Sequence, residues 1–535
     1  MKPSTLTLPE LSQLTIEQKA AQMVMIDIPG TKMAAHVREH LSQTPWNGVI
    51  LFAKNTQNRA QVVELVEEIH AASPIQPLIS VDQEGGLVDR FRFPEMTLSP
   101  GCMALAATGD PGCTREAHRI MGIELRSLGM HLDFAPCVDV NVNPQNPIIG
   151  VRSFGEDPVR VAKHGAAAVE GLRAGGVGAT AKHFPGHGDT DRDSHIALPT
   201  VSHSRERLEA VELLPFRAAI ERQVEAIMTA HVTFPAIDPR EGIPATLSRA
   251  ALEGLLRGEM GYEGVIVTDS MAMKAVADRF GVAEAAVMSV EAGADLVLAC
   301  GPIENQLETV RGLVEAVKSG RLSQERLDQS LRRLFELKRR YAARPEQTLT
   351  YDRKAHESSM RRTVERSVTL VRNQGILPLT GRVLVLMPDM LPLTPLGEMD
   401  RGESLRPYLE GADLELSEER YHFSTESPPI GPLAEKAAAA GTVVLAVYGR
   451  DRLPDAQRDL AEAVLRANPR TVLVSLSSPY LLLDLPHVPA YVLSYNYTPY
   501  SLEMLGRVLT GRLKPTGRLP VGIPGHYPAG HGLAD

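Results

Sequence analysis

The chain has 535 residues, of which 43% are hydrophobic and 23% charged, with a formal net charge of −9. That length exceeds one ordinary core and predicts two domains, while the composition excludes a disordered chain. The acidic balance, with no run of lysines and arginines interleaved with aromatics, excludes a nucleic-acid partner.

The N-terminal stretch MKPSTLTLPELSQLT has no apolar leader segment, and nowhere does an apolar run reach bilayer length. A soluble cytoplasmic protein with no membrane partner is expected. The four cysteines, Cys102, Cys113, Cys137 and Cys300, show no CxxC and no regular spacing. They read as isolated thiols in a reducing compartment, neither a disulfide framework nor a zinc site.

Short apolar runs recur along the first part of the chain: Gln22 to Ile28, Gly48 to Lys54, Pro77 to Gln83, Leu132 to Val140, Val177 to His183, Ala226 to Val232, Gly264 to Asp269 and Ala294 to Cys300. Helical patterns lie between them. Arg59 to Ala72 sets Val62, Val63, Leu65, Val66 and Ile69 on one side, and Asp157-Pro158 opens Val159 to Leu172 with an N-cap and a proline at the first helical position. Eight strands alternating with helices predict an N-terminal (β/α)8 barrel over residues 1–350, closed by a helix over Gln324 to Tyr341.

Periodicity is lost around Ala343 to Tyr351, where the domain boundary is placed. A new pattern starts with Arg361 to Arg372, followed by strand-like runs at Val383 to Met387, Thr442 to Tyr448, Thr471 to Leu476 and Ala490 to Tyr495 and by a helix at Pro454 to Ala467. Residues 351–535 are expected to form a smaller three-layer α/β/α sandwich with a mostly parallel sheet. No glycine-rich phosphate loop stands at its strand ends, so nothing supports a nucleotide cofactor.

A barrel of this kind builds its site from the C-terminal ends of its strands. Those ends carry Asp82, Asp139, Lys182, His183, His231 and Asp269. Asp269 terminates a β-branched run, and its structural alternative is the N-cap of the next helix. The densest stretch is Ala181 to Ile196, AKHFPGHGDTDRDSHI, in which Asp193 precedes His195 by two residues. A carboxylate at that spacing orients an imidazole for acid/base work, although His195 also reads as an ordinary loop histidine. The histidines and aspartates of this stretch fit no closed metal-ligand set, and Lys182 would repel a cation, so no metal is expected. In VDQEGGLVDRFR the pair Gly85-Gly86 permits a tight turn that returns Arg90 and Arg92 to the mouth. Arg152 follows in IGVRSF, and both loops also read as structural ion pairs.

These residues carry a resemblance. The segment beginning KHFPGHG and the segment VTDSMAM resemble the corresponding motifs of family 3 glycoside hydrolases, and within them the bacterial β-N-acetylglucosaminidases of peptidoglycan recycling. VDQEGG, LDFAPCVDV, NPIIGVRSFGEDP, IMTAHVTFPAIDP, LVRNQGILPL and PTGRLPVGIPGHYPAGHGL extend the likeness over most of the chain. One departure stands in the loop after the third strand, where the family usually has arginine and this chain has Leu87.

The resemblance implies a retaining exo-β-N-acetylglucosaminidase that needs no cofactor and acts, as a monomer, on a small carbohydrate. It makes Asp269 the nucleophile and His195 the acid/base, held by Asp193. Asp82, Arg90, Arg152, Lys182 and His183 would bind the non-reducing sugar. A phosphorylase using the same dyad, a β-glucosidase, and a non-catalytic sugar-binding barrel are the alternatives.

Overall fold

The computed structural model describes residues 6–190, 198–343, 349–389, 404–422 and 428–534. Eight parallel strands form the first sheet: β1 (Val24–Asp27), β2 (Gly48–Leu51), β3 (Leu78–Val81), β4 (Leu132–Asp133), β5 (Gly178–Phe184), β6 (Ala226–Thr229), β7 (Val265–Val267) and β8 (Val297–Ala299). Pairing runs in sequence order from β1 to β7, with β8 against β1. A parallel bridge between Val267 and Leu296 brings the two ends together and closes the barrel. Every strand residue is buried, as expected where the barrel interior covers one face and helices the other. Gly48 is required by the tight ring: a Cβ there would lie 2.6 Å from the Leu78 carbonyl oxygen.

The helices form where the apolar spacing places them. Arg59–Ala72 buries Val62, Leu65, Val66 and Ile69 against the barrel, with the Asn58 side chain accepting from the Gln61 amide at its start. Pro158–Ala174 begins with Asp157 as N-cap, whose carboxylate accepts from the Val159 and Arg160 amides, and with Pro158 at the first turn. Gln324–Tyr341 is the last barrel helix.

The second sheet has β9 (Thr369–Asn373), β10 (Gly381–Pro388), β11 (Leu414–Tyr421), β12 (Thr442–Val447), β13 (Thr471–Ser475) and β14 (Ala490–Leu493). Its order is β11-β10-β12-β13-β14-β9, parallel throughout except for β9 against β14. Two elements differ from the sequence expectation. The stretch Arg361 to Arg372 is divided between the end of a helix, Arg353–Glu365, and β9. The edge strand β11 escaped notice because its sequence, LELSEERY, alternates with charges and lacks a buried apolar run.

The two sheets are tied together around the barrel mouth. Asn141 Nδ2 donates to the Tyr480 hydroxyl at 3.2 Å, Arg92 Nη1 to the Tyr497 hydroxyl at 3.2 Å, and Arg450 Nη1 to the Pro147 carbonyl at 2.9 Å. Among the described residues no helix is long and apolar enough to cross a membrane.

Candidate active site

The end of β3 supplies two carboxylates. Asp82 and Glu84, two apart beyond Val81, face the same way. Both meet Lys182 from the end of β5: its Nζ lies 2.7 Å from Asp82 Oδ1 and 2.6 Å from Glu84 Oε1. Glu84 is also clasped by Arg152, which donates from Nε at 2.9 Å and Nη2 at 2.8 Å. Arg152 ends the short turn Gly150–Arg152 in the loop after β4.

Burial alone would discharge Glu84 and Lys182, but the neighbouring charges prevail. It opposes the charge on Glu84, yet Arg152 and Lys182 hold this carboxyl well below the usual range. It likewise opposes Lys182, and Asp82 and Glu84 hold that ammonium above its ordinary pKa.

His183 follows Lys182, with a cis peptide between them. Its Nδ1 donates to Asp139 Oδ2 at 2.7 Å, which fixes the tautomer and leaves Nε2 3.4 Å from Arg152 Nη2. Asp139 also accepts at Oδ1 from the amides of His183 (3.1 Å) and His187 (2.7 Å), and at Oδ2 from the Cys137 thiol (3.2 Å). Burial would raise its pKa, but His183 above all brings it down to about 2. Cys137, Asp139 and His183 set ligand-type atoms within 4.8 Å of one another. With both Asp139 oxygens taken by donors, the trio acts as a hydrogen-bonded brace for the His183 ring.

Asp269 stands two residues beyond β7, half-buried, with Oδ1 accepting from the Ser270 amide at 2.7 Å. The next helix, Lys274–Phe280, has Met273 as its N-cap residue, so Asp269 is not a cap. His231, beyond β6, lies 3.0 Å through Nε2 from the Ser270 carbonyl and 2.9 Å through Nδ1 from the Thr246 hydroxyl, bracing the turn that carries Asp269.

A cavity of about 400 Å3 collects these groups: Asp82, Glu84, Arg90, Arg152, Lys182, His183 and Asp269 all line it. That volume suits one sugar ring with its substituents. The sequence-derived residues Asp269, Asp82, Arg90, Arg152, Lys182 and His183 are therefore brought together, and Phe52 adds an aromatic wall. Asp193 and His195 lie outside the described residues. Arg92 is not among the residues lining the cavity and reaches Tyr497 instead, with its guanidinium 5.2 Å from that ring. Leu87 lines a hollow of about 40 Å3 between the barrel and the Tyr448–Arg450 segment, which gives an apolar side chain a place to pack.

Sequence reasoning missed Glu84, the carboxylate shared by both buried cations, although its two-residue offset from Asp82 was a usable signal. It also placed Asp139 at the end of the fourth strand. β4 stops at Asp133, and Asp139 arrives on a loop that runs beside β5 through a Cys137–Lys182 bridge.

A closed parallel barrel that gathers charged side chains from its strand ends into one sugar-sized cavity is a scaffold on which glycoside hydrolysis can be built. The model of the glycosyl hydrolase family 3 N-terminal domain matches residues 15–337, and that of the family 3 C-terminal domain matches residues 368–529. The chain belongs to glycosyl hydrolase family 3. Among solved structures it is similar to a family 3 β-N-acetylglucosaminidase from Paenibacillus sp., with 41% identity and a TM-score of 0.90 over 95% of this chain and 99% of that one. It is 37% identical to β-hexosaminidase A of Pseudoalteromonas piscicida over 67% of this chain, a match spanning 65% of that protein. A β-hexosaminidase of Xanthomonas oryzae pv. oryzae is 39% identical over 54% of this chain and 87% of its own length.

Proposed function

We propose that the protein is a retaining exo-β-N-acetylglucosaminidase that hydrolyses terminal β-linked N-acetylglucosamine from small carbohydrates. The observation that carries this reading is the shared cavity, in which Asp269 faces the Asp82, Glu84, Lys182, Arg152 and His183 cluster. The β-N-acetylglucosaminidase from Paenibacillus sp. and the two β-hexosaminidases support the acetamido sugar as substrate.

In this reading residues 1–350 carry the chemistry and residues 351–535 form the second domain. The Asp82 carboxylate accepts from sugar hydroxyls while Lys182 and Arg152 donate to them, and the braced His183 presents Nε2 to the ring. Arg90 closes the cavity from the third-strand loop. Asp269 attacks the anomeric carbon through an oxocarbenium-like transition state and forms a glycosyl-enzyme ester. His195, oriented by Asp193, protonates the leaving oxygen and then takes a proton from the water that hydrolyses the ester. An imidazole beside a carboxylate stays protonated near neutral pH, which keeps a donor available.

Peptidoglycan fragments recycled in the cytoplasm are the proposed natural substrates. The resemblance to recycling-type enzymes supports this, as do four cysteines that are all free thiols, the state a reducing compartment maintains.

The test is release of p-nitrophenol from the β-N-acetylglucosaminide and from the β-glucoside, with and without phosphate, by wild type and Asp269→Ala. Phosphate-independent cleavage of the acetamido sugar alone, lost in the variant, is expected. Cleavage that requires phosphate would make the enzyme a phosphorylase, preference for the glucoside would make it a β-glucosidase, and cleavage of neither would leave a sugar-binding barrel.

A further inference from the structure

Between the two substrate-facing carboxylates, Asp82 and Glu84, stands a residue that does not line the cavity. Gln83 is 3% exposed and spends every polar group of its amide side chain and its backbone N–H on protein partners. Its backbone N–H donates to Asp133 Oδ1 at 2.9 Å, at the end of β4. Its side-chain Nε2 donates to Asp89 Oδ1 at 2.5 Å, and its Oε1 accepts the backbone N–H of Arg90 at 2.8 Å.

The intervening turn makes this geometry possible. The amides of Glu84 and Gly85 donate to the Val88 carbonyl at 2.9 and 3.0 Å, and Gly85 and Gly86 adopt φ of +82° and +62°. A Cβ on Gly86 would come within 3.1 Å of the Pro100 carbonyl oxygen, so the turn is packed as well as strained for any other residue. The chain therefore doubles back, and Asp89 and Arg90 return beside Gln83.

We propose that Gln83 and Asp89 are positioning residues for substrate binding: together they fix the Arg90 peptide against the segment that follows β3 and so hold the Arg90 side chain in the wall of the sugar cavity. This rests on the proposed function, because Arg90 is taken there as a contact to the bound sugar.

The surroundings support a dedicated strut. Asp133 and Asp89 are both buried, at 0% and 1% exposure, and neither faces the cavity. Asp133 Oδ2 has no hydrogen-bond partner among the described residues, and burial pushes its pKa well above the ordinary value, so its one contact is the Gln83 N–H. Burial also lifts the Asp89 carboxyl, to about 6, against the pull of Arg92. The Gln83 amide and the Phe91 backbone N–H donate to this carboxyl, so the strut is part of what keeps it in the interior. The Thr56 hydroxyl holds the Arg90 carbonyl at 3.1 Å and Gln83 holds its N–H, so loss of the strut loosens one end of that peptide, while Asp82 and Glu84 stay anchored separately by Lys182.

The experiment compares Asp89→Ala, Asp89→Asn and Gln83→Leu with wild type, reading kcat and KM on the p-nitrophenyl acetamido sugar, calorimetric binding of free N-acetylglucosamine, and Tm. Asp89→Ala and Gln83→Leu should raise KM about tenfold and weaken N-acetylglucosamine by the same factor, with kcat within about twofold of wild type. Asp89→Asn keeps an oxygen for Gln83 Nε2 and should restore KM to within about twofold. An unchanged KM in Asp89→Ala, a loss confined to kcat, or an Asp89→Asn as impaired as Asp89→Ala overturns the proposal. Should Gln83→Leu fail to fold, which Tm reports, the Asp89 pair decides alone. A wild type that neither cleaves nor binds the acetamido sugar overturns the activity reading and the strut's role with it, whereas a normal wild type with unaffected variants overturns the strut alone.

Discussion

Arg152 clasps Glu84 with two hydrogen bonds, at 2.9 and 2.8 Å, and their side chains are only 9% and 2% exposed. Removing one partner of such a buried pair leaves the other charge uncompensated. Glu84→Ala should therefore cost about 3–5 kcal/mol of stability at neutral pH. The native pKa of Glu84 lies below its unfolded value of 4.5, so its contribution is complete above that pH and is lost as the pH falls. Denaturant unfolding at pH 7 and pH 4 should show a gap between wild type and variant that narrows at the lower pH.

Asp269 is half-buried, caps no helix and sits in a turn braced by His231. Asp269→Asn should reduce kcat by at least about 10^3-fold, as losing a nucleophile does, with Tm within a degree or two of wild type. A variant that retains most of its turnover would remove Asp269 from the mechanism.

Asp193 and His195 can be tested through the leaving group. p-Nitrophenolate departs without protonation, whereas a sugar alkoxide does not. His195→Ala should therefore lose about 10^2-fold or more in kcat on a disaccharide and much less on the p-nitrophenyl substrate. Asp193→Ala should slow turnover while leaving the unfolding midpoint unchanged. Equal losses on both substrates would argue against His195 as the acid.

Lys338, on the last barrel helix, is fully buried, and its Nζ donates to Gln22 Oε1 at 2.8 Å. Burial depresses its pKa from 10.5 to about 7. The folded state thus binds fewer protons than the unfolded state between those values, so stability should rise as the pH increases from about 7 to about 10. In Lys338→Met that rise should disappear, measured as Tm against pH. A slope that persists would assign it to another group.

The barrel was legible because parallel strands covered on both faces read as uninterrupted apolar runs, and each of the eight runs holds a strand, although that in Leu132 to Val140 is only Leu132–Asp133. The helices over Arg59–Ala72 and Gln324–Tyr341 were legible to the residue from their apolar spacing. What failed were features created by distant pairing. Glu84 acquires its meaning from Arg152, 68 positions away, and from Lys182. Gln83 acquires its own from Asp133, 50 positions away, and no local pattern announces either contact. β11 lacks the apolar signature because its residues are largely uncovered, with Tyr421 alone among them buried.

That outermost strand has a consequence for how molecules meet. An unpaired strand edge is a template on which a second chain can extend the sheet. β11 carries Glu415, Glu418, Glu419 and Arg420 in eight residues, with Glu419 paired to Lys436 and Arg420 to Asp389. Two copies approaching edge to edge would have to crowd glutamate against glutamate and break those pairs. The strand that made the second sheet hardest to read thus carries, among the described residues, the charges that disfavour its use as a template.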